Sequence, residues 1–241
     1  MAVHRWGCAL EGVIGNQLSV IGKSFCTDYC DHPKYSILRR MKIYLVRHGQ
    51  SRWQVKRDDE DWDSPLTELG QRQAQHLATW LADGARVDQD SRLAVGGLCS
   101  SPLLRARQTA VALSTTLHQP LATLDTLRES EFLVSAHLPA AESPYQTVTQ
   151  PTLSDTYLVF KQQADEALRA LVEVAESHND SVLAVAHGGL LSTLLRTAVG
   201  SDTVSFWLYN ASLNLIEWKR GRWHLVHLNL WDHLPPTLRT Y

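Results

Sequence analysis

The chain has 241 residues, of which 44% are hydrophobic and 20% are charged, and its formal net charge is −2. This length suits one or two domains with a well-buried core, and the charge lacks the basic surplus that is typical of nucleic-acid-binding proteins. No apolar run approaches the roughly 18 residues of a membrane span, and Glu11 interrupts the apolar stretch at the N-terminus, so we expect a cytoplasmic protein without a signal peptide or a membrane partner.

The first 40 residues differ from the rest of the chain. They are rich in glycine, serine and cysteine and show no sustained periodicity. Cys26 and Cys30 lack a second pair at zinc-finger spacing, so we expect ordinary thiols there. Met41 is the only methionine besides Met1. We therefore expect residues 1–40 to be an extension, either poorly ordered or preceding a natural start at Met41.

A short apolar run ends abruptly in Arg47-His48-Gly49. Ile43 to Val46 are bulky residues that favour a buried strand, and Gly49 lets the backbone turn sharply and come close to a ligand. The strand would therefore place a fixed cation and a titratable imidazole at the edge of a sheet. This combination predicts a phosphate site that contains a nucleophile.

The next elements lead to a second cation at the same kind of position. We interpret residues 52–57 as an exposed loop, and Asp63-Ser64-Pro65 as the introduction to a helix. Leu93 to Cys99 favours a second buried strand, and Ser100-Ser101-Pro102 then starts another helix. Arg105 lies in the first turns of this helix, where a strand ends and a helix begins. That is the usual ligand-binding edge of an open α/β sheet.

The middle of the chain supplies a candidate acid. Leu121 to Leu127 is a third strand candidate and is followed by Glu129 and Glu131, whose side chains would share one face of an extended segment. Residues at about 130–155 carry several prolines and no convincing period, so we interpret them as an inserted, lid-like loop. A long amphipathic helix is predicted over 155–177.

The last third repeats the pattern of the opening strand. Ser181 to Ala186 is a continuous apolar run that ends in His187-Gly188-Gly189, and a helix is predicted over 190–199. Backbone amides at the start of such a helix can bind an anion. Residues 204–230 alternate in character around Gly221, which predicts a hairpin flanking the sheet.

These strand ends together fit a phosphoryl group. Guanidinium groups bind phosphate through forked hydrogen bonds, each worth about 1.5–3 kcal/mol, so two arginines and two histidines could hold a phosphoryl dianion without a metal. A neutral histidine can attack phosphorus, and a carboxyl group can protonate the leaving oxygen and then activate water. A metal cation would be repelled by Arg47 and Arg105, so we expect neither a metal site nor a cofactor.

The motifs, in this order, resemble those of the histidine phosphatase superfamily, in the branch of the cofactor-dependent phosphoglycerate mutases and broad-specificity phosphatases. The matching segments span about 41–234 and are Leu45-Val46-Arg47-His48-Gly49-Gln50-Ser51-x-Trp53, Pro65-Leu66-Thr67-Glu68-x-Gly70-x-x-Gln73-Ala74, Ser100-Ser101-Pro102-Leu103-x-Arg105-Ala106-x-x-Thr109-Ala110, Leu127-Arg128-Glu129, Ala186-His187-Gly188-Gly189 and Trp223-x-Leu225-x-x-Leu228-Asn229-x-x-x-His233-Leu234. The resemblance implies an α/β three-layer sandwich with a mainly parallel central sheet and helices on both faces, phosphoglycerate mutase-like, formed by residues 41–241 as a single domain.

The resemblance also implies catalytic roles. His48 would be the phosphorylated nucleophile, and Glu129 would act as acid and base, with Glu131 as the alternative. Arg47, Arg105 and His187 would form the phosphate pocket. Gln54 stands where many members have asparagine. The predicted substrate-binding set is Arg47, Gln50, Ser51, Gln54, Arg105, His187 and Gly188.

The implied activity is hydrolysis of a phosphate monoester on a small phosphorylated metabolite, through a phosphohistidine and without a metal. The segment after Glu129 lacks the continuation that is typical of the mutases. A mutase-type phosphotransferase and a non-catalytic phospho-ligand binder stay open as alternatives, and the sequence favours no particular oligomeric state. We expect substrate selectivity to lie in residues 52–63 and 130–155, where the resemblance is weakest.

Overall fold

A computed structural model describes residues 39–57, 61–85, 93–146, 148 and 152–241. Within these residues the strands are β1 (Arg40–Arg47), β2 (Gly97–Ser100), β3 (Leu121–Thr123), β4 (Ser181–Ala186), β5 (Leu213–Lys219) and β6 (Arg222–Leu230). The helices are α1 (Arg52–Val55), α2 (Glu68–Ala82), α3 (Leu104–Leu117), α4 (Asp155–Ser177) and α5 (Gly188–Val199). Short 3₁₀ helices cover Asp125–Leu127, Val134–His137 and Pro236–Leu238. The predicted N-terminal extension lies outside the described residues except for its last two, and Arg40 already belongs to β1.

The strands form one sheet in the order β3-β2-β4-β1-β5-β6. β3, β2, β4 and β1 run parallel to one another, while β5 is antiparallel to both β1 and β6. Arg47 pairs with Ala186, and Ser100 pairs with Val185. The carboxyl ends of β1, β2 and β4 therefore meet at one edge, which brings the segments after them together. The predicted α/β fold is confirmed.

Helices cover both faces of the sheet. Tyr44 and Val46 of β1 pack into a core cluster with residues of α2 and α3, whereas the alternating Ile43 and Leu45 point to the opposite face. On that face α4 and α5 pack against each other and against β1. Because both faces are covered, the apolar run of β1 is continuous, as expected for parallel strands. The predicted inner face of α4 is buried at Phe160, Ala164, Ala167, Leu168, Leu171, Val172 and Ala175.

The segment after β1 differs from its prediction as a loop. Residues 52–55 form α1, because the side-chain oxygen of Gln54 accepts the backbone N–H of Ser51 at 3.0 Å and closes the first turn. α2 begins later than predicted, at Glu68, and Thr67 caps it by accepting the N–H of Gly70 at 3.0 Å. Leu66 lies before this helix and forms a bridge with Ser51.

The second and third strands are shorter than predicted, because each is limited by the length of its neighbour. β2 begins at Gly97, which pairs with Val182, the second residue of β4, so residues before Gly96 have no part of β4 beside them. β3 ends at Thr123, which pairs with the last residue of β2. The chain then turns into a 3₁₀ helix in which the N–H of Leu127 bonds to the carbonyl of Leu124 at 3.1 Å.

None of the helices in the described part of the chain is long and apolar enough to cross a membrane.

Candidate active site

His48 directly follows β1 and is 4% exposed. Its Nδ1 lies 2.6 Å from the carbonyl oxygen of Gly49. A carbonyl can only accept a hydrogen bond, so Nδ1 carries the ring proton. The other ring nitrogen, Nε2, accepts a hydrogen bond from Nε of Arg105 at 3.3 Å. The lone pair of Nε2 therefore points towards Arg105, and this atom is the candidate nucleophile.

The surroundings of His48 keep its imidazole neutral. Burial lowers the pKa of His48 well below its usual value, and the positive charges of Arg105 and Arg47 lower it further. The hydrogen bond to the Gly49 carbonyl acts in the opposite direction and is the weaker effect. A histidine attacks phosphorus only when its ring nitrogen is unprotonated. The site therefore holds His48 in the reactive form at neutral pH.

Two guanidinium groups lie close enough to His48 for their charges to act on its ring. Arg47 donates from Nη1 to the carbonyl of Leu208, while its Nε has no hydrogen-bond partner among the described residues. Burial lowers the pKa of Arg47 to about 10, so it stays charged at neutral pH. Arg105 is 2% exposed, donates from Nη1 to the carbonyl of Trp62 at 2.7 Å and stacks over that indole, with its Cζ 5.0 Å from the ring centroid. Both cations are fixed in place and can bind a phosphoryl group.

His187 occupies the position just before α5 and is fully buried, with its ring centroid 5.1 Å from that of His48. Its Nε2 lies 2.8 Å from the hydroxyl of Ser101, which also accepts the N–H of Leu103 at 3.3 Å. The Ser101 hydroxyl can donate its proton to Nε2 while it accepts the N–H of Leu103. In this arrangement the ring proton of His187 is on Nδ1. Nδ1 has no partner in the described part of the chain. With this tautomer, His187 offers an unpaired N–H donor beside His48.

Glu129 caps the N-terminus of α5. Its carboxylate accepts the backbone N–H of Gly189 at 2.8 Å, of Leu190 at 2.9 Å and of Ser130 at 3.0 Å. These donors favour the ionised form, but the burial of the carboxyl group outweighs them and raises the pKa of Glu129 above its usual value. A raised pKa is what a general acid needs. Glu131 also lines the cavity but is exposed.

Gly189 leaves the space that the Glu129 carboxylate occupies. A Cβ added at position 189 would lie 2.5 Å from Oε1 of Glu129 and 3.1 Å from a methyl group of Val134. We therefore expect Gly189→Ala to displace the carboxylate and to lower turnover by about 10–100-fold, a part of what a general acid contributes. The measurement is kcat in Gly189→Ala, Glu129→Gln and the double variant. If Gly189→Ala acts through Glu129, the double variant is no slower than Glu129→Gln, and additive losses would contradict this.

The other predicted substrate-binding residues do not all reach the cavity. Ser51, Gln54 and Gly188 line it. Gln50 is not part of the described cavity wall, because its side-chain oxygen accepts the hydroxyl of Thr67 at 2.9 Å and ties the loop to the start of α2. The Gln54 side chain is largely occupied, since its Nε2 donates to the carbonyl of Tyr241 at 3.0 Å.

Several residues that hold the site in place were not singled out from the sequence. Asn210 is fully buried and donates to the carbonyl of His48 at 3.0 Å and to Oε1 of Gln54 at 3.2 Å. The N–H of Ala211 donates to the carbonyl of Arg47 at 2.9 Å. Thr109 accepts the N–H of Gly49 at 3.1 Å. Thr109 lies within a motif segment, whereas Asn210 carries no local pattern that would have identified it.

His233 holds the backbone of Ala211 in place, since its Nε2–H donates to the carbonyl of Ala211 at 3.0 Å. Burial lowers the pKa of His233 to about 4. Between pH 6.5 and 4 the unfolded chain binds the proton and the folded chain does not, so the stability that this neutral histidine provides is present above pH 6.5 and is lost on acidification.

We expect the free energy of unfolding to fall by about 2 kcal/mol more between pH 7 and pH 5 in the wild type than in His233→Gln. Urea unfolding of both proteins at both pH values measures this difference. Equal losses of unfolding free energy in the wild type and in His233→Gln would contradict the prediction.

A cavity of about 630 Å³ is lined by Arg47, His48, Arg105 and Glu129, whereas His187 does not belong to its described wall. Its walls include residues of both segments in which selectivity was expected, among them Trp53, Trp62, Phe132 and Val134. Its volume is within the range of sites for small organic ligands and exceeds what a phosphate requires. No group of three or more His, Cys, Asp or Glu side chains that could hold a metal ion occurs among residues 39–57, 61–85, 93–146, 148 and 152–241.

Comparison with known proteins connects this site to a family. The family model of the histidine phosphatase superfamily (branch 1) matches residues 43–230. A Bacillus subtilis (strain 168) protein named "Uncharacterized phosphatase PhoE" is 28% identical over 198 residues, which are 80% of this chain and 96% of that protein.

Two solved structures share the fold. The phosphoglycerate mutase from Bacillus anthracis str. Sterne superposes with a TM-score of 0.60 at 21% identity, covering 81% of this chain and 96% of that one. The phosphoserine phosphatase from Entamoeba histolytica, solved in complex with 3-phosphoglyceric acid, gives a TM-score of 0.60 at 19% identity and covers 80% and 99% of the two chains.

Proposed function

Since the chain belongs to the histidine phosphatase superfamily, branch 1, we propose that it is a metal-independent phosphomonoester hydrolase that acts on a small phosphorylated metabolite through a phosphohistidine at His48. The observation that carries the proposal is the state of His48: a buried neutral imidazole with its proton on Nδ1 and its Nε2 bonded to Arg105, close enough to Arg47 for that charge to lower its pKa. The relative named as a phosphatase supports hydrolysis as the reaction.

In the first step Nε2 of His48 attacks phosphorus and the bond from phosphorus to the ester oxygen breaks. Arg47, Arg105 and the Nδ1–H of His187 bind the non-bridging oxygens and stabilise the charge that develops on them. Glu129 donates its proton to the leaving oxygen, and its raised pKa favours the protonated form that this requires. The alcohol departs and the phosphoryl group remains on His48.

In the second step a water molecule attacks the phosphohistidine. Glu129, now a carboxylate, accepts a proton from this water while the bond from nitrogen to phosphorus breaks. Inorganic phosphate leaves and Nε2 of His48 recovers its lone pair. The hydrogen bond from Nδ1 to the Gly49 carbonyl keeps the ring oriented throughout both steps.

A panel of phosphorylated metabolites, assayed in the presence of a chelator, tests the proposal. Release of inorganic phosphate that is insensitive to the chelator is the expected result. Product analysis with 3-phosphoglycerate separates hydrolysis from the mutase alternative, since a mutase yields 2-phosphoglycerate and conserves the phosphoryl group. Binding of phosphorylated ligands without any turnover across the panel would overturn the proposal in favour of a non-catalytic binder.

A further inference from the structure

One face of α5 forms a wall of the cavity. This wall leads away from the end of the cavity where Arg47 and His48 lie, called the phosphate end below. Gly188, Ser192 and Arg196 all line the cavity, and their spacing of four residues places them on one side of the helix. The first of them lies at the phosphate end, because a Cβ added at Gly188 would be 3.4 Å from Nε of Arg47. Arg196 lies two turns farther along the same wall.

Arg196 is a buried cation that the proposed reaction does not use. It is 1% exposed. Its Nε donates to the hydroxyl of Tyr157 at 2.8 Å, and its Nη2 donates to the hydroxyl of Thr193 at 2.7 Å. Its Nη1 makes no hydrogen bond to the described residues. Two neutral hydroxyl groups therefore fix the orientation of the guanidinium without neutralising its charge.

The carboxylate of this hydrogen-bond network forms an ion pair with a different cation. Asp202 accepts the hydroxyl of Tyr157 at 2.9 Å and forms an ion pair with Lys161. Within the described part of the chain no carboxylate forms an ion pair with Arg196. A buried charge without a counter-charge is costly, and here it stands in the wall of a cavity. Such a group is a built site for an anion, to which a guanidinium can donate two hydrogen bonds at once.

We propose that Arg196 forms a second anion subsite, and that the substrates carry a carboxylate or a second phosphate at the end opposite the hydrolysed phosphoryl group. This inference rests on the proposed hydrolase function. Apolar side chains, among them Val134 and Leu138, also line this cavity, so we expect the linking part of the substrate to be apolar. The substrate class is a phosphate monoester with an anionic group at the far end of an apolar spacer.

The helix sets the length of the spacer. Eight residues separate Gly188 from Arg196, which is about 12 Å along the axis. The Arg196 side chain leans back by about one turn, since it bonds to Thr193. The two anionic groups would therefore lie roughly 6–8 Å apart along the helix axis.

The test compares ω-carboxyalkyl phosphates of increasing chain length with the matching uncharged alkyl phosphates. We expect kcat/KM of the wild type to favour the carboxylate over its alkyl partner by about 10–100-fold at the best length, as one charge-assisted contact provides. Bis-phosphates of the same lengths show whether a phosphate serves as well as a carboxylate. Equal kcat/KM for charged and uncharged partners at every length would overturn the subsite, and this comparison needs no variant. Absence of hydrolysis for all of these compounds would instead count against the proposed function.

Variants then assign the preference to Arg196. Arg196→Met is expected to remove the charged-to-uncharged preference, whereas Arg196→Lys, which keeps the charge, is expected to retain part of it. Arg169→Met is the matched control, because Arg169 is exposed on α4 and pairs with Asp165 at 2.8 Å, away from the cavity. Thermal unfolding confirms that each variant is folded. A preference that persists in folded Arg196→Met would contradict the assignment, since a merely structural role would not change substrate discrimination.

Discussion

Replacement of His48 by alanine is expected to abolish turnover, with a loss of about 10⁴-fold or more in kcat, as for other enzymes that lose their nucleophile. Arg47, Arg105 and His187 would still bind the phosphoryl group in this variant, so KM is expected to change far less than kcat. The reason is that Nε2 of His48, which accepts the hydrogen bond from Nε of Arg105, supplies the atom that forms the new bond to phosphorus. Steady-state kinetics on an activated aryl phosphate measure both constants.

His224→Ala is the matched control for this experiment. His224 lies on β6 and is exposed, so its loss is expected to leave turnover within about twofold, as for surface substitutions away from a site. A His48→Ala variant that is folded and keeps the activity of the His224→Ala variant would rule out His48 as the nucleophile.

Glu129→Gln is expected to lower kcat by about 10²–10⁴-fold on alkyl phosphates, the usual contribution of a general acid or base. Glutamine has nearly the same shape but no proton of suitable acidity, and its amide cannot accept all the backbone donors that hold the carboxylate. The loss is expected to be smaller for the phosphorylation step on aryl phosphates, whose leaving groups need little protonation. Pre-steady-state measurement of alcohol release with both substrate types tests this dependence.

Glu131→Gln is the comparison that decides between the two glutamates. Glu131 is exposed, and no hydrogen bond fixes its carboxylate among the described residues, so its replacement is expected to cost less than about tenfold, below the range for a general acid. A larger loss in Glu131→Gln than in Glu129→Gln would assign the acid to Glu131.

Sequence reasoning worked best for segments whose periodicity is strong. The bounds of β4 and α4 were predicted correctly, because a continuous apolar run and a long amphipathic pattern are local signals. The lengths of β2 and β3 were overestimated, since each strand is limited by the strand beside it. Neighbours in a sheet cannot be deduced from the residues of one strand.

The candidate site also contains residues that a local sequence signal identifies and residues that depend on contacts distant in the sequence. Arg47, His48, Arg105 and His187 follow strand ends and form motifs, so they could be proposed from the sequence, and the parallel sheet then brings them together. Arg196 belongs to a predicted helix and is indistinguishable in sequence from an ordinary surface cation; only its burial in the cavity wall marks it. The contact of Asn210 with the carbonyl of His48 joins residues 162 positions apart. Such a contact leaves no local signature.

The central claim is a covalent phosphoryl group on His48. Mixing the enzyme with a radiolabelled phosphate monoester, quenching in alkali within the first turnovers and locating the label by peptide mapping tests it most directly. The account predicts a phosphoenzyme that is stable in alkali and labile in acid, as a phosphoramidate is, with the label on the peptide that contains His48 and none in His48→Ala. Turnover without any protein-bound label, or label that persists in His48→Ala, would contradict it.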